Sequence, residues 1–450
     1  MQLCIVKKTG DVISEQTFLQ NWTTLKISAI AEKQLSILTK LQNQSFKAAL
    51  FNFLLLAIIG TLLRWIQWKG NSFINYHFLL NAHSHFAMGG WMFTDLFTGI
   101  LMVFPILSTK NELVYQRIFW LSQIGSYGML LSFPFKGYSF ISILFSEVYV
   151  IATYWFAYRV WQDTDNNTAS SKWLKAALIF LLVSSLGPYA VGPMMANHLS
   201  GSVWYFDAIY FYLHFQYNGW FTFAALALLF RFTEQRNILL HPKNEKNAFR
   251  LLTTATILTY LLSTLWSSPG LAFNFIAGAG AVLQIAGWYY MLRLLISLKE
   301  QKLFSFHFSA FLLSVSFVAF TLKIFLQLLS VLQTVSLLAY RYKNLIIAYL
   351  HLVLIGFLSI FLIAFFIENK VLRLTRLSKW GVLLFLLAFT VSEILLVSQA
   401  LIARLNLPAI SHQYPLVFLA SCGMAIGLLF LLLSQLQNKY TEDINSIETI

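Results

Sequence analysis

NAHSHFAMGGW (residues 81–91), LHFQYNGWF (213–221) and AYLHLVLIGF (348–357) decide the fold, because each sets a histidine, His83, His214 and His351, inside a segment apolar enough to cross a membrane. Ionisable side chains in hydrocarbon are costly and mark functional sites by default. Neutral imidazole is also the commonest metal ligand. The pattern points to a metal or haem held inside a helical bundle.

The surrounding chain fits that setting. Its 450 residues are 58% hydrophobic and 11% charged, with 42 Phe, a composition far from that of water-soluble domains. Apolar stretches long enough to span about 30 Å of hydrocarbon recur at 46–66, 80–106, 118–135, 138–161, 173–195, 203–230, 248–267, 271–297, 306–332, 344–367, 379–403 and 414–436. The expectation is an all-α polytopic membrane protein of about twelve transmembrane helices. With both termini on one side, 24 of the 31 Lys and Arg fall on that side, six fall opposite, and Lys323 lies within segment 9. Such a bias is the mark of the positive-inside rule, so both termini are expected in the cytoplasm of a bacterial-type inner membrane. The net charge of +14 is thereby explained by topology and calls for no nucleic acid.

Residues 1–45 read as a polar cytoplasmic leader without a secretory signal. Lys26, Lys33 and Lys40, spaced by seven beside Leu25, Ile27, Ile30, Leu35, Ile37 and Leu38, suit an amphipathic helix on the membrane face, although a partly ordered leader fits equally. Residues 46–436 form one membrane domain and 437–450 a cytoplasmic tail. Cys4 and Cys422 are too few and too far apart for a disulfide or a cysteine metal site.

In this topology segments 2, 6 and 10 run inward from the outer face. At about 1.5 Å per residue, His83 lies roughly 5 Å, His351 about 10 Å and His214 about 16 Å below the outer boundary. A shared depth on three helices suits a vertical plate-like cofactor or a bridging metal. His83 and His85 are about 200° apart around their helix, so one of them faces a given partner. Gly89 and Gly90 strip the same helix of side chains, for close helix packing or for a flat macrocycle. On segment 6, Gln216, Tyr217 and Asn218 follow His214, and polar groups there must find partners inside the bundle. Tyr349 stands two residues before His351. Asp95, Glu147, Lys323 and Glu393 are further intramembrane ionisable groups, with Glu147 and Lys323 near mid-membrane the better candidates for a proton path. His77, His198, His241, His307 and His412 read as surface or interfacial residues, and GPYAVGP (187–193) as a broken helix end shaping an outer loop.

Twelve helices with histidines on the second, sixth and tenth resemble the catalytic subunit of the haem-copper oxidase superfamily, which includes the nitric oxide reductases. A related branch is the haem-copper membrane proteins of the nitrosative-stress response. In that superfamily histidines on helices 2 and 10 hold a low-spin haem from both faces, and helix 10 carries H-x-H. Here the stretch is Tyr349-Leu350-His351, so the resemblance implies that His351 pairs with His83 or His85, and that Tyr349 occupies the position of the high-spin haem ligand. HFQYNGW is similar to the H-x-x-x-E-G of nitric oxide reductases, with His214 as metal ligand and Asn218 in place of the glutamate. The histidine pair that completes a copper or non-haem iron site on helix 7 has no counterpart in FRLLTTATILTYLLSTLW (249–266).

The resemblance thus implies a haem-copper oxidase subunit I-like bundle carrying one low-spin b-type haem beside an incomplete dinuclear centre. Its activity would be oxidoreductase-type electron transfer or O2/NO handling. No C-x-x-C-H motif is present, so electrons would come from quinol or a separate carrier protein, and other membrane subunits are natural partners. The rival readings are a transporter or permease using Asp95, Glu147 and Lys323, with Gly278, Gly280 and Gly287 allowing a helix break, and a cofactor-free assembly subunit.

Overall fold

The computed structural model describes the backbone of residues 5–6, 12–13 and 15–39, and residues 40–70, 73–104, 111–165, 167–301, 303–408 and 410–436 in full. The side chains of residues 1–39 and the tail at 437–450 lie outside the described residues, and with them the amphipathic reading of the leader, which rests on side chains up to Lys40.

The chain is an all-α polytopic membrane protein. Its long helices are α1 (Glu15–Lys69), α2 (Tyr76–Val103), α3 (Glu112–Lys136), α4 (Phe140–Asp163), α5 (Ala169–Ala196), α6 (203–235), α7 (Pro242–Ser267), α8 (Leu271–Glu300), α9 (His307–Leu329), α10 (Lys343–Glu368), α11 (Arg376–Leu405) and α12 (Gln413–Leu436). Ten of them are long and apolar enough to cross a membrane. The other two, α3 and α6, are equally long but carry more polar residues, such as Gln123 on α3 and Gln216 and Asn218 on α6, all buried. A two-stranded antiparallel pairing of Ile5–Val6 with Val12–Ile13 precedes α1.

Three helices form the interior. In α2 and α10, 94% and 78% of the most apolar window is buried, against 33% in α4 and α8, and every residue of α6 from 214 to 230 is buried. These three touch one another, and the remaining helices pack around them, with α1 lying against α12. Helix packing in lipid favours small residues where backbones approach. Gly381 of α11 and Gly427 of α12 meet in this way: a Cβ at Gly427 would lie 2.6 Å from the Gly381 carbonyl oxygen. Gly427→Val forces the two backbones apart and is expected to cost about 1–3 kcal/mol, read as a lower thermal midpoint in detergent, while Gly192→Ala, in open space, leaves that midpoint unchanged.

Each inner helix widens into a π-helical stretch directly below its histidine: Ala87–Phe93 in α2, Phe215–Phe221 in α6 and Leu352–Ser359 in α10. A π turn breaks the i→i+4 ladder and frees backbone carbonyls, which must be paired in a membrane. Side chains supply the donors. Thr222 Oγ1 donates to the Tyr217 carbonyl and Ser359 Oγ to the Leu354 carbonyl, both at 2.6 Å, and Ser316 Oγ donates to that of Phe357 at 2.8 Å. In α2 the Gly90 carbonyl accepts from Asn52 Nδ2 of α1. Asn52 also donates to Gln123 Oε1 (2.9 Å) and accepts from Tyr127 Oη (2.6 Å), tying α1, α2 and α3 together.

Carboxylates at the end of the bundle that carries the basic loops are used structurally. Glu234 binds the Ser170 backbone N–H and hydroxyl at the start of α5, and Glu245 accepts from Trp173 Nε1 at 3.0 Å. Asp163 accepts from Tyr115 and Asn111 and pairs with Arg159 at 3.2 Å. Glu368, the last residue of α10, accepts from the backbone N–H groups of Ser305 and Phe306, both at 3.0 Å, and so caps α9.

Candidate functional site

His83 and His351 project from α2 and α10 into the same region and lie within electrostatic reach of each other. His351 Nδ1 sits 3.1 Å from Glu393 Oε1 of α11. A carboxylate can only accept there, so Nδ1 carries the proton, and the neutral imidazole then has its lone pair on Nε2. Arg64 of α1 lies close to Glu393 and supplies a compensating charge. The helix 1 backbone forms the wall behind His83: a Cβ on Gly60 would stand 3.2 Å from His83 Cε1. His83 Nδ1 is buried without a hydrogen-bond partner, next to the Leu56 backbone. Neither His83 nor His351 makes a hydrogen bond through Nε2 to a described residue.

The other two membrane histidines are engaged elsewhere. His85 Nε2 is 3.0 Å from Tyr138 Oη, and its ring stacks on Phe133 with centroids 4.7 Å apart. His214 is fully buried, and both ring nitrogens are used. Its Nε2 donates to the Thr256 carbonyl of α7 at 2.8 Å, and its Nδ1 accepts from Asn218 Nδ2 at 3.0 Å. His214 therefore binds a metal only by giving up one of these bonds. The remaining predicted polar residues of α6 are tied into the interior: Gln216 Nε2 donates to Ser184 Oγ at 2.9 Å, and Tyr217 meets Tyr349 edge-on at 5.9 Å between ring centroids. Lys323, 1% exposed, lies over the Phe320 ring at 4.9 Å and within electrostatic reach of His214. Asn218 and His214 are thus hydrogen-bonded to each other, with the Tyr217–Tyr349 ring contact and the Lys323 ammonium nearby in the interior.

Gly89 and Gly90 face protein. A Cβ at Gly89 would meet Ser126 Oγ at 2.8 Å and the Tyr149 ring at 2.9 Å, and one at Gly90 would meet the Phe86 ring at 2.4 Å. Gly89 is thus packed against α3 and α4, while at Gly90 the covering ring belongs to α2 itself. Glu147 lies half-buried between α4 and α5, where it accepts from Tyr189 Oη at 3.2 Å.

The donor chemistry around His83 and His351 fits a low-spin haem, whose iron requires two axial ligands. Metal-bound histidines characteristically donate the other ring N–H to a carboxylate or carbonyl, and His351 has that partner in Glu393. Among the described residues no three His, Cys, Asp or Glu side chains converge as a metal cage, and so the donors for a copper or non-haem iron centre are not gathered in one place. No family model matches the chain, and no curated protein matches it.

Sequence reading singled out the histidines but not Gly60, Arg64 or the pairing of Glu393. Glu393 carried a usable signal: an isolated carboxylate in a long apolar segment needs an intramembrane partner. Which of the histidines it serves depends on how α10 and α11 pack.

Proposed function

We propose that this protein binds one b-type haem within its membrane domain, with His83 and His351 as axial ligands, and works in one-electron transfer. The observation that carries this reading is the pair of free Nε2 atoms on two inner helices, one of them backed by a carboxylate through Nδ1. The order of the helices, with α2, α6 and α10 innermost, supports the resemblance to the haem-copper oxidase catalytic subunit. A haem of this kind supplies a one-electron couple.

The chain's own residues do the rest. Glu393 orients the His351 ring, and the missing side chain at Gly60 leaves room for the His83 ring against α1. A haem held by both His83 and His351 would supply electron transfer rather than gas binding, because neither histidine would leave a place for a gas. The cytoplasmic orientation of the basic face and quinol or a carrier protein as electron donor belong to the same proposal. Haem content measured as pyridine haemochrome is expected at one per chain in protein expressed with ample haem. A colourless preparation overturns the reading in favour of transport or a cofactor-free assembly role.

A further inference from the structure

We propose that Glu393 is a positioning residue that holds His351 in one tautomer and one ring orientation and raises its electron-donating strength. This rests on the haem reading above and adds to it an electronic inequality between the two ligands.

Three observations carry it. Glu393 Oε1 stands 3.1 Å from His351 Nδ1, and the two side chains are 16% and 24% exposed, so the contact sits largely inside the protein. The helices that bring them together are pinned a second time, by Asn344 Nδ2 of α10 donating to Gln399 Oε1 of α11, so the register at Glu393 does not depend on the histidine contact alone. His83, in contrast, has no carboxylate at Nδ1, which lies next to the neutral Leu56 backbone, and its ring is backed by the Gly60 backbone. One imidazole is thus polarised by an anion and the other is not.

A carboxylate drawing on the Nδ1 proton gives the ring partial imidazolate character and makes Nε2 a stronger donor. A stronger donor favours the oxidised over the reduced iron and lowers the reduction potential. Arg64 of α1 lies within electrostatic reach of Glu393 and favours its charged form.

The test uses the full-length protein in detergent and compares wild type, Glu393→Gln, Glu393→Ala and Glu393→Asp by redox titration and haem content per chain. Glu393→Gln keeps an acceptor at Oε1 and removes the charge, so it should retain the haem at a more positive midpoint potential. Glu393→Ala removes the acceptor and should weaken haem retention about 10- to 100-fold, with Glu393→Asp restoring part of it. If wild type binds haem, and Gln has the wild-type potential while Ala keeps full haem content, the role of Glu393 is overturned and the haem reading stands. If wild type binds none, both fall.

Discussion

Replacing His351 by alanine is expected to abolish haem absorbance in the purified protein, whereas His214→Ala leaves it in place. The two residues are placed alike, each a lone histidine in the N-terminal half of an inner helix and each followed at once by a π-helical stretch. Their surroundings separate them. His214 has an acceptor at one nitrogen and a donor at the other, and alanine there strands the Thr256 carbonyl and the Asn218 amide, which lowers stability by about 1–3 kcal/mol without touching the other pair. His351 has one nitrogen bound and one free, and alanine there would remove one of the two proposed haem ligands and leave Glu393 without its histidine partner. Optical spectra and haem content of the two variants check this. Haem retained at wild-type level in His351→Ala, or lost only in His214→Ala, overturns the ligand assignment.

Glu368→Ala is expected to lower stability by about 1–3 kcal/mol, the range for leaving buried polar groups without their hydrogen-bond partner. Its carboxylate has no exposed surface and serves four groups at once: two backbone N–H groups that open α9, the Ser309 hydroxyl, and Arg236 at 3.5 Å. The Arg236 term is the weaker one, because that side chain is 32% exposed and is partly repaid by solvent. The orphaned N–H groups are the larger cost. Glu368→Gln, which keeps an acceptor, should fall between wild type and alanine. Thermal unfolding in detergent measures the order. An unchanged midpoint for Glu368→Ala would show that α9 is held without this cap.

The helices were legible in the sequence because a membrane demands length and apolarity together. The stretch expected at 271–297 is helix Leu271–Glu300, and that expected at 344–367 is Lys343–Glu368. α3 and α6 are less apolar for a physical reason visible only in three dimensions: Gln123 and Tyr127 pair with Asn52, and Asn218 with His214, so their polar groups are satisfied inside. The π-helical stretches left no pattern to read, since one extra residue per turn does not alter composition. The site was half legible. Burial of a histidine in an apolar run marks it as special, but whether its nitrogens are free depends on Glu393, Thr256 and Tyr138, which lie on other helices or loops, from 42 to 53 positions away. Gly89 and Gly90 show the limit in the other direction, since the same small residues serve a macrocycle or a neighbouring helix; Ser126 and Tyr149 of other helices lie against Gly89, and Phe86 of α2 itself lies against Gly90.

The most direct test of the central claim is a reduced-minus-oxidised optical spectrum of the detergent-purified protein expressed with ample haem. Ligation by His83 and His351 predicts the sharp bands of a low-spin b-type haem. A spectrum without haem bands, from protein that is folded and monodisperse, contradicts it.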